Sequence, residues 1–536
     1  TLILPSKRAG GFLKNHLRKA AKTTSIAPTI QSIEEFIEEL SDLKIIDTTA
    51  LLFKSYQIYL TTDPNRDKDN FDTYSLWAST IIADFNEIDR YLIDPAPFFQ
   101  YLSSIKDVNH WNLGEEKTPL IENYLKFWNS LYAFYISLKV RLLEDGLGYQ
   151  GLVYRKASED VKSYVNINPN KKHVFIGFNA LNSAEQLIIQ ELLKHKSNSI
   201  FWDAERHLLE DVKHSASYFI NKYRKEWKYF KDNPLRRLGD YYQKAKQFQF
   251  VEVQKNIGQA KYVGELLSTY SPEKLTRTAI VLADEKLLIP IINSLPTNVD
   301  SVNITMGVPL QHFQLTRFFE LILASHLHPK TPLYYKDVLT ILNQPSASFL
   351  IPDAKKIITS INSQNLSHLT LESLHLFAER AHKQIIDQIF GSWENDSNKA
   401  IDNCLKLIEC ISDNVIDNHI EHTVSKALHS VFSEMKTLDA SFSYLNSIQI
   451  VSRLFSEITT TTSLDFQGDA YNGLQIMGIL ETRVLDFDNV IITSVNEGVL
   501  PAGKSNTSFI TNDLKHQFGL PNYTEKDAIY TYHFYH

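Results

Sequence analysis

The chain has 536 residues, too many for one hydrophobic core, so three or four structural units are expected. Hydrophobic residues make up 43% and charged residues 22% of it, which is typical of a globular cytosolic protein. The sequence contains no run of about 18 apolar residues that could span a bilayer. The formal net charge of −7 excludes a global attraction for nucleic acid, so DNA binding would need local basic patches.

The first predicted elements are a strand, a loop and a helix. The strand is the apolar run Leu2–Pro5, and an amphipathic pattern follows the loop that starts at Ser6. Sheet strands resume much later, at His173–Phe178 and Ser199–Trp202. Helical periodicity dominates the residues between, which predicts a sheet interrupted by an all-helical insertion.

A second parallel sheet is predicted in the rest of the chain, again with a helical block inside it. Its strands are Gln249–Val253, Ala279–Ala283, Val302–Met306, Leu474–Met477 and Val490–Ser494. The whole pattern predicts an α/β protein with four parts: a first core of residues 1–30 plus 165–246, a helical insertion of 31–164, a second core of 247–329 plus 446–536, and a second insertion of 330–445.

The most informative segment runs from Ile476 to Pro501. It resembles the motif V strand and loop of superfamily I helicases of the UvrD and RecB type, which carry I-M-T-x-H-x-x-K-G-L-E-F and then x-E-G-x-x-P. Arg483 keeps the basic character of that frame. Three positions that touch nucleotide and DNA in the family are altered here, and they are Gly478, Leu480 and Val484.

The positions of the helicase ATPase motifs are altered as well. Active relatives place an Asp–Glu pair after an apolar strand, where Asp holds Mg²⁺ and Glu activates water, but this chain has Gly177 and Phe178 there. At the arginine pair that stabilises phosphoryl transfer it has Asp527 and Ala528. The resemblance therefore implies a helicase scaffold that does not hydrolyse ATP. The alternative, a buried strand and turn unrelated to helicases, stays open.

A second motif points to a different class of protein. The segment from Gly498 to Ser505 satisfies the P-loop pattern G-x-x-x-x-G-K-[ST] and follows a strand. In an active P-loop NTPase the phosphate would be bound by Gly503, Lys504 and Ser505. A P-loop needs a helix that begins at the lysine, whereas the sequence predicts a helix capped by Thr511 or Asn512.

Four segments together resemble the AddB-like proteins: residues 2–9, 176–182, 303–310 and 494–501. This family consists of inactivated superfamily I helicases followed by a PD-(D/E)XK nuclease domain, which act in bacterial double-strand-break repair beside an active AddA or RecB-type helicase-nuclease subunit. The resemblance implies two RecA-like cores, each interrupted by a helical insertion. It also implies a cytoplasmic bacterial protein that binds single-stranded DNA.

The resemblance also assigns residues. Ser6, Lys7 and Arg8, with Thr482 and Arg483, would hold DNA phosphates, and Glu497 and Gly498 would shape the loop after motif V. A solvated basic turn is the alternative for Lys7 and Arg8. No cofactor is expected in this chain, and Mg²⁺ is expected only for a nuclease domain beyond His536. We interpret the chain as a piece of a longer protein, because it starts on a strand at Thr1 and stops within a helical pattern.

Other groupings are interpreted as structural. A metal site is not expected at His419, Glu421 and His422, which lie on a polar helical face. A solvated helix face is expected for Asp84, Glu87 and Asp89. Core packing is expected for Phe201, Trp202 and Asp203, with DNA base stacking as the alternative. The only cysteines, Cys404 and Cys410, are predicted to share one helix and exclude a disulfide framework or a four-cysteine cluster. A protein-interaction scaffold without DNA affinity also fits the acidic net charge.

Overall fold

The computed structural model describes residues 1–24, 26–62, 68–111, 119–211, 213–235, 238–327, 332–415, 418–465, 473–483, 485–501 and 508–536. Contacts divide the chain into two compact units. The first unit comprises Thr1–Lys68, Ser75–Met306 and Gln467–His536, and the second comprises Asp69–Tyr74 and Gly307–Phe466. The four-part division expected from the sequence is finer than this one and stays a prediction.

The first part of the chain contains two pairs of strands and a long helical block. Its elements are β1 (Leu2–Leu4), α1 (Lys7–Ala20), β2 (Ile30–Ser32), α2 (Ile33–Ser41), β3 (Lys44–Ile45), α3 (Thr48–Thr61), α4 (Phe71–Arg90), α5 (Pro95–Trp111), α6 (Pro119–Glu144), β4 (Leu147–Gly148) and α7 (Gln150–Ile167).

The middle part alternates short helices and strands. Its elements are β5 (Val174–Ile176), α8 (Ser183–Leu193), β6 (Ser199–Phe201), α9 (Arg206–Glu210), α10 (Tyr218–Glu226), α11 (Tyr229–Asp232), α12 (Lys255–Ser268), α13 (Pro272–Thr276), β7 (Thr278–Leu282), α14 (Leu288–Ile292) and β8 (Val302–Ile304).

The second unit is mostly helical. Its elements are β9 (Val308–Pro309), α15 (Gln314–Leu327), β10 (Leu333–Tyr334), α16 (Tyr335–Leu342), α17 (Ala354–Ser363), β11 (His368–Leu369), α18 (Leu371–Phe377), α19 (Lys383–Phe390), α20 (Ser397–Asn414), α21 (His419–Phe442), α22 (Ile448–Thr461) and β12 (Ser463–Leu464). The last elements return to the first unit and are β13 (Leu474–Gly478), β14 (Asn489–Thr493), α23 (Asn512–Phe518) and α24 (Tyr523–Tyr535).

Two four-stranded parallel sheets form the framework of the first unit, which confirms the predicted α/β class. One sheet has the strand order β2-β1-β5-β6 and the other β14-β7-β13-β8. Every residue of β7 and of β13 is buried, as expected of strands covered on both faces. Because all strands of a sheet point the same way, the loops that follow them meet at one edge.

One predicted strand is wrong. Gln249–Val253 is described without strand pairing, and the ring of Phe250 is 90% exposed. The alternation of Phe and Gln fits a strand, but alternation does not supply a partner, and β14 and β8 already form the two edges of the second sheet. The other predicted strands are confirmed within one or two residues.

The core of the second unit is built from aromatic and aliphatic side chains on long helices. Phe432 on α21 stacks on Phe455 of α22 with ring centroids 4.8 Å apart, and it also contacts Phe319 of α15. Cys404 is buried on α20, and Cys410 lies on the same helix, as predicted. Among the described residues of the chain, no helix is long and apolar enough to cross a bilayer.

Candidate functional site

Helix α1 starts directly after β1, at the end of the first sheet where its parallel strands finish. Ser6 is its N-cap, and the Ser6 hydroxyl oxygen accepts a hydrogen bond from the Ala9 N–H at 3.2 Å. Capping by Ser fixes the start of the helix because it satisfies one of the free N–H groups of the first turn. Lys7, the first residue of the helix, is exposed.

Helix α1 carries five cations and no acidic residue. The first acidic residue of the whole chain is Glu34. Lys7, Lys14 and Arg18 are exposed, and their spacing of seven and four residues places them on one side of the helix. We call these three residues the basic stripe. Among the described residues, its only ion pair joins Lys7 to Glu35 at 3.0 Å.

Arg8 points to a different side of the helix and holds the two sheets together. Its guanidinium donates a hydrogen bond to the Gln475 side chain at 3.1 Å and lies 3.6 Å from the Glu481 carboxylate. Only 18% of the Arg8 side chain is exposed. Phe12, one turn further along, packs against the core of the second sheet. The contacts of Arg8 are therefore those of a structural residue between the sheets.

Thr482 and Arg483 follow β13 in a short 3₁₀ turn, Ile479–Thr482. The Thr482 hydroxyl donates to the Ile479 carbonyl at 2.7 Å and closes the turn. Arg483 Nε donates to His533 Nε2 at 3.2 Å, and burial together with the Arg483 charge lowers the pKa of His533 to about 3. His533 is thus a neutral acceptor, and it fixes the Arg483 side chain beneath α24.

A cavity of about 560 Å³ lies between the loops that follow β1, β5 and β13 and the helices α4 and α24. We call it the polar cavity because ionisable side chains from the turn after β13 and from several helices, α4 and α24 among them, line it. They include Asp84, Glu87, Arg90, Glu185, Arg483 and Lys515.

Glu185 is a buried carboxyl group in the wall of the polar cavity. It forms a capping box at the start of α8: its carboxylate accepts from the Asn182 N–H, and the Asn182 side chain accepts from the Glu185 N–H, both at 2.9 Å. Burial raises the pKa of Glu185 to about 7, while the Asn182 hydrogen bond and the charges of Arg90 and Arg483 oppose the shift. The group therefore gains and loses its proton near neutral pH.

The acidic residues of α4 are not on a solvated face, so that prediction is wrong. Asp84 is buried and accepts hydrogen bonds from the Ser508 hydroxyl at 2.6 Å and the Phe509 N–H at 2.9 Å. Burial raises the pKa of Asp84 to about 6. Glu87 accepts from Lys515 at 2.7 Å. The segment around α23 covers this face of α4. Helical periodicity cannot predict a contact between residues that are so far apart in the sequence.

Asp89, on the same helix, is completely buried. It accepts hydrogen bonds from Tyr135 at 2.6 Å, from Tyr149, and from Arg155 Nε at 2.5 Å. Every partner comes from the helical block of residues 135–155, so Asp89 fixes how those helices pack on α4.

The positions aligned with the helicase ATPase motifs lie close to the first core. Gly177 has a φ of +75°, which favours glycine, and its N–H donates to the Phe201 carbonyl at 2.9 Å. Phe178, in the loop after β5, and Ala528, on α24, belong to one hydrophobic cluster although they are far apart in the sequence. Asp527 is half-buried, and its carbonyl accepts from the Thr531 hydroxyl at 2.8 Å. Apolar packing therefore occupies two of these four positions.

Glu497 and Gly498 are exposed in the turn after β14, where Gly498 has a φ of +82°. Helix α23 begins at Asn512 with Thr511 as its N-cap, as predicted. Some expected functional positions lie outside the described residues, and these are Val484, Gly503, Lys504 and Ser505.

Trp202 packs between the rings of Tyr223 and Trp227, as expected of core, whereas the preceding Phe201 is 53% exposed. One group of possible metal ligands occurs among the described residues, and it was not predicted: Asp353, Glu379 and His382. His382 Nδ1 lies 2.7 Å from Asp353 Oδ1. The distance is that of an ion pair, but neither atom has a hydrogen-bond partner of acceptable geometry.

Neither the protein-family models nor the curated proteins with which the chain was compared match it. Sequence reasoning missed the basic stripe, although the absence of acidic residues before Glu34 is a signal for it. It also missed the polar cavity, whose walls come from residues that are far apart in the sequence.

Proposed function

We propose that the chain is a non-catalytic, helicase-like module that binds single-stranded DNA. In this proposal the sheets β2-β1-β5-β6 and β14-β7-β13-β8 are two RecA-like cores, each interrupted by a helical insertion. The proposal draws on the resemblance of the motif segments to AddB-like proteins and on the charge distribution of α1.

The basic stripe is the observation that carries DNA binding. Lys7 and Arg18 are eleven positions apart, and at a rise of about 1.5 Å per residue the stripe is about 16 Å long. Cations along such a length can contact several successive phosphates of an extended strand, and each contact releases counterions. The net charge of −7 makes this local concentration of cations stand out, because the remainder of the chain is more acidic than the total.

The residues at the ATPase positions support a non-catalytic role. Phosphoryl transfer needs a carboxylate for Mg²⁺ and a cation near the transferred phosphate. Gly177 and Phe178 offer no carboxylate, and the packing of Phe178 with Ala528 fills space at the loop with apolar groups. The module would thus hold DNA without using ATP.

The biological setting of the proposal is bacterial double-strand-break repair. The module would position a single strand for a PD-(D/E)XK nuclease domain of the longer protein, and Mg²⁺ would belong to that domain. Its partner would be an AddA or RecB-type helicase-nuclease subunit.

A fluorescence-anisotropy titration with a labelled single-stranded oligonucleotide tests the proposal. The triple variant Lys7→Gln, Lys14→Gln, Arg18→Gln should weaken binding and reduce the slope of log K against log salt by about 2, at roughly 0.7 per phosphate contact. A matched triple variant of exposed lysines in the second unit, Lys336→Gln, Lys355→Gln, Lys356→Gln, should leave both quantities unchanged. Equal effects of the two triples would overturn the role of the stripe.

A further inference from the structure

We propose that the polar cavity binds a phosphate-type anion between the guanidinium groups of Arg90 and Arg483. The inference does not rest on DNA binding by α1, because no residue of the basic stripe lines the cavity.

The two arginines are cations of the cavity wall that have no ion-pair partner among the described residues, and both interact electrostatically with the Glu185 carboxyl group. Among the described residues, Arg90 makes no hydrogen bond and no ion pair, and its guanidinium lies over the face of the Tyr154 ring at 5.6 Å. Arg483 uses Nε on the neutral ring of His533, and no described carboxylate lies within ion-pair distance of it. Guanidinium groups bind phosphate with two parallel hydrogen bonds, so both side chains retain the groups that such a ligand needs.

Two other ionisable groups of the wall near Asp84 already have partners, as does Asp84 itself. Lys515 is paired with Glu87, and Asp84 accepts two hydrogen bonds from the segment before α23. At the wall formed by α8, Asn182 is only 5% exposed, and its side-chain Nδ2 has no hydrogen-bond partner. Together with the positive end of the α8 dipole, these groups favour a negative ligand.

The size of the cavity fits a small molecule. Ligand sites commonly enclose about 300–1,000 Å³, and the polar cavity encloses about 560 Å³. A phosphate monoester, or one phosphate of a longer chain, has room there. The polar walls disfavour an apolar ligand, because groups such as Arg90 would lose water without gaining a partner.

Glu185 couples the binding of an anion to a proton. Its carboxylate faces Arg90 from α4, Arg483 from the turn after β13, and Glu34 from α2, and its pKa is raised to about 7 chiefly by burial. An anion between the arginines repels ionised Glu185, so binding favours the protonated form. Asp84, with a pKa of about 6, acts in the same direction. Glu525 and Lys526 on α24 line the cavity with opposite charges. Affinity should therefore fall as the pH rises through about 7.

The test uses the whole chain and two probes in isothermal titration calorimetry. Inorganic pyrophosphate should bind, and Arg90→Gln or Arg483→Gln should weaken binding by roughly tenfold or more, the value of a charge-assisted hydrogen bond. Arg224→Gln is the matched control, because Arg224 is exposed on α10 and does not line the cavity. Sulfate, which keeps its charge across neutral pH, is the probe for the pH profile.

A second variant keeps the test decisive if an arginine variant fails to fold. Glu185→Gln retains a side chain that can complete the capping box but cannot ionise. It should bind sulfate more tightly than the unaltered protein at about pH 8, and its decline in affinity through pH 7 should be reduced to the smaller part that Asp84 contributes. Absent binding of pyrophosphate, equal effects of Arg90→Gln and Arg224→Gln, or an unchanged pH profile in Glu185→Gln would each overturn the proposal.

Competition distinguishes the two sources of the phosphate group. If a single-stranded oligonucleotide displaces bound pyrophosphate, and Arg90→Gln weakens oligonucleotide binding, the ligand is the backbone of a strand. If pyrophosphate binds undisturbed by saturating oligonucleotide, the ligand is a free phosphate compound. Both results support an anion site, and the variants of the basic stripe should leave pyrophosphate binding unchanged in either case.

Discussion

Asp89 and Glu185 are both buried carboxyl groups of the first unit of the protein, and their surroundings differ in kind. Asp89 is enclosed by donors: the hydroxyls of Tyr135 and Tyr149 and the Arg155 guanidinium all donate to it. Glu185 has a backbone partner at Asn182, and the nearby Arg90 and Arg483 do not form ion pairs with it. A fully satisfied buried charge stabilises one packing arrangement, whereas a partly satisfied one titrates near neutral pH. The comparison separates a structural carboxylate from a candidate functional one.

Removing the Asp89 carboxylate should have the largest effect on stability. Asp89→Ala leaves Arg155 and two tyrosine hydroxyls buried without their partner, and breaking such a pair costs about 3–5 kcal/mol. Urea denaturation followed by circular dichroism measures the loss. Asp402→Ala, at an exposed ion pair with Lys436, is the control and should change stability by less than about 1 kcal/mol. Similar losses in both variants would remove the distinction drawn for Asp89.

Substitution of Glu185 should have the opposite effect on stability from substitution of Asp89 at alkaline pH: it should stabilise the protein. Its pKa is raised in the folded protein from 4.5 to about 7, so its contribution to stability is fully present below pH 4.5 and is lost as the pH rises through 7. Glu185→Gln removes this loss and should stabilise the protein at about pH 8 by up to about 3 kcal/mol, since one pKa unit corresponds to about 1.4 kcal/mol.

The measurement for Glu185 is the free energy of unfolding as a function of pH. The variant and the unaltered protein should differ least near pH 4.5 and most above pH 7. A variant that is less stable at every pH would mean that the Glu185 carboxylate is as well satisfied as that of Asp89, and the comparison would fail.

The cap of α1 should have an intermediate effect. Ser6→Ala removes the hydrogen bond to the Ala9 N–H, which costs about 1 kcal/mol at a helix start. Thermal denaturation of Ser6→Ala and Ser6→Thr distinguishes a cap from a general effect of substitution, because Thr preserves most of the stability of a Ser cap. Equal losses in the two variants would contradict the capping role.

The smallest effect on stability is expected at the surface pair of Lys7 and Glu35. Exposed ion pairs contribute from about 0 to 1 kcal/mol, so Lys7→Gln should leave the melting temperature nearly unchanged. The same substitution should weaken oligonucleotide binding at low salt and have little effect at high salt. A clear loss of stability with unaltered DNA binding would place Lys7 with the structural residues.

Local sequence signals predicted much of the fold. The apolar runs of β7 and β13 gave correct strands, because strands buried on both faces need continuous apolar sequence. The alternation of polar and apolar residues at Gln249–Val253 predicted a strand that the structure does not contain. A strand needs a neighbouring strand to pair with, and periodicity does not specify one. The burial of Asp84 was missed for the same reason: its partners, Ser508 and Phe509, are more than four hundred positions away.

The candidate sites show the same division. Gly498 was predicted in the loop after motif V, and it lies in an exposed turn after β14, whereas Lys7 was predicted in a loop before the first helix and is the first residue of α1. Arg8 and Arg483 were predicted to hold DNA phosphates, and that assignment stays a prediction, but their contacts lie inside the first unit. The charge of an arginine and its position in a motif identify it as a candidate DNA contact. Only the packing of both sheets shows which way its side chain points.

The central claim is that the chain binds single-stranded DNA without using ATP. The most direct test is an anisotropy titration of a labelled oligonucleotide at low and high salt, each with and without Mg-ATP. The account predicts binding that weakens steeply with salt and that is identical with and without Mg-ATP. Absence of binding at low salt, or an affinity that changes when Mg-ATP is added, would contradict it.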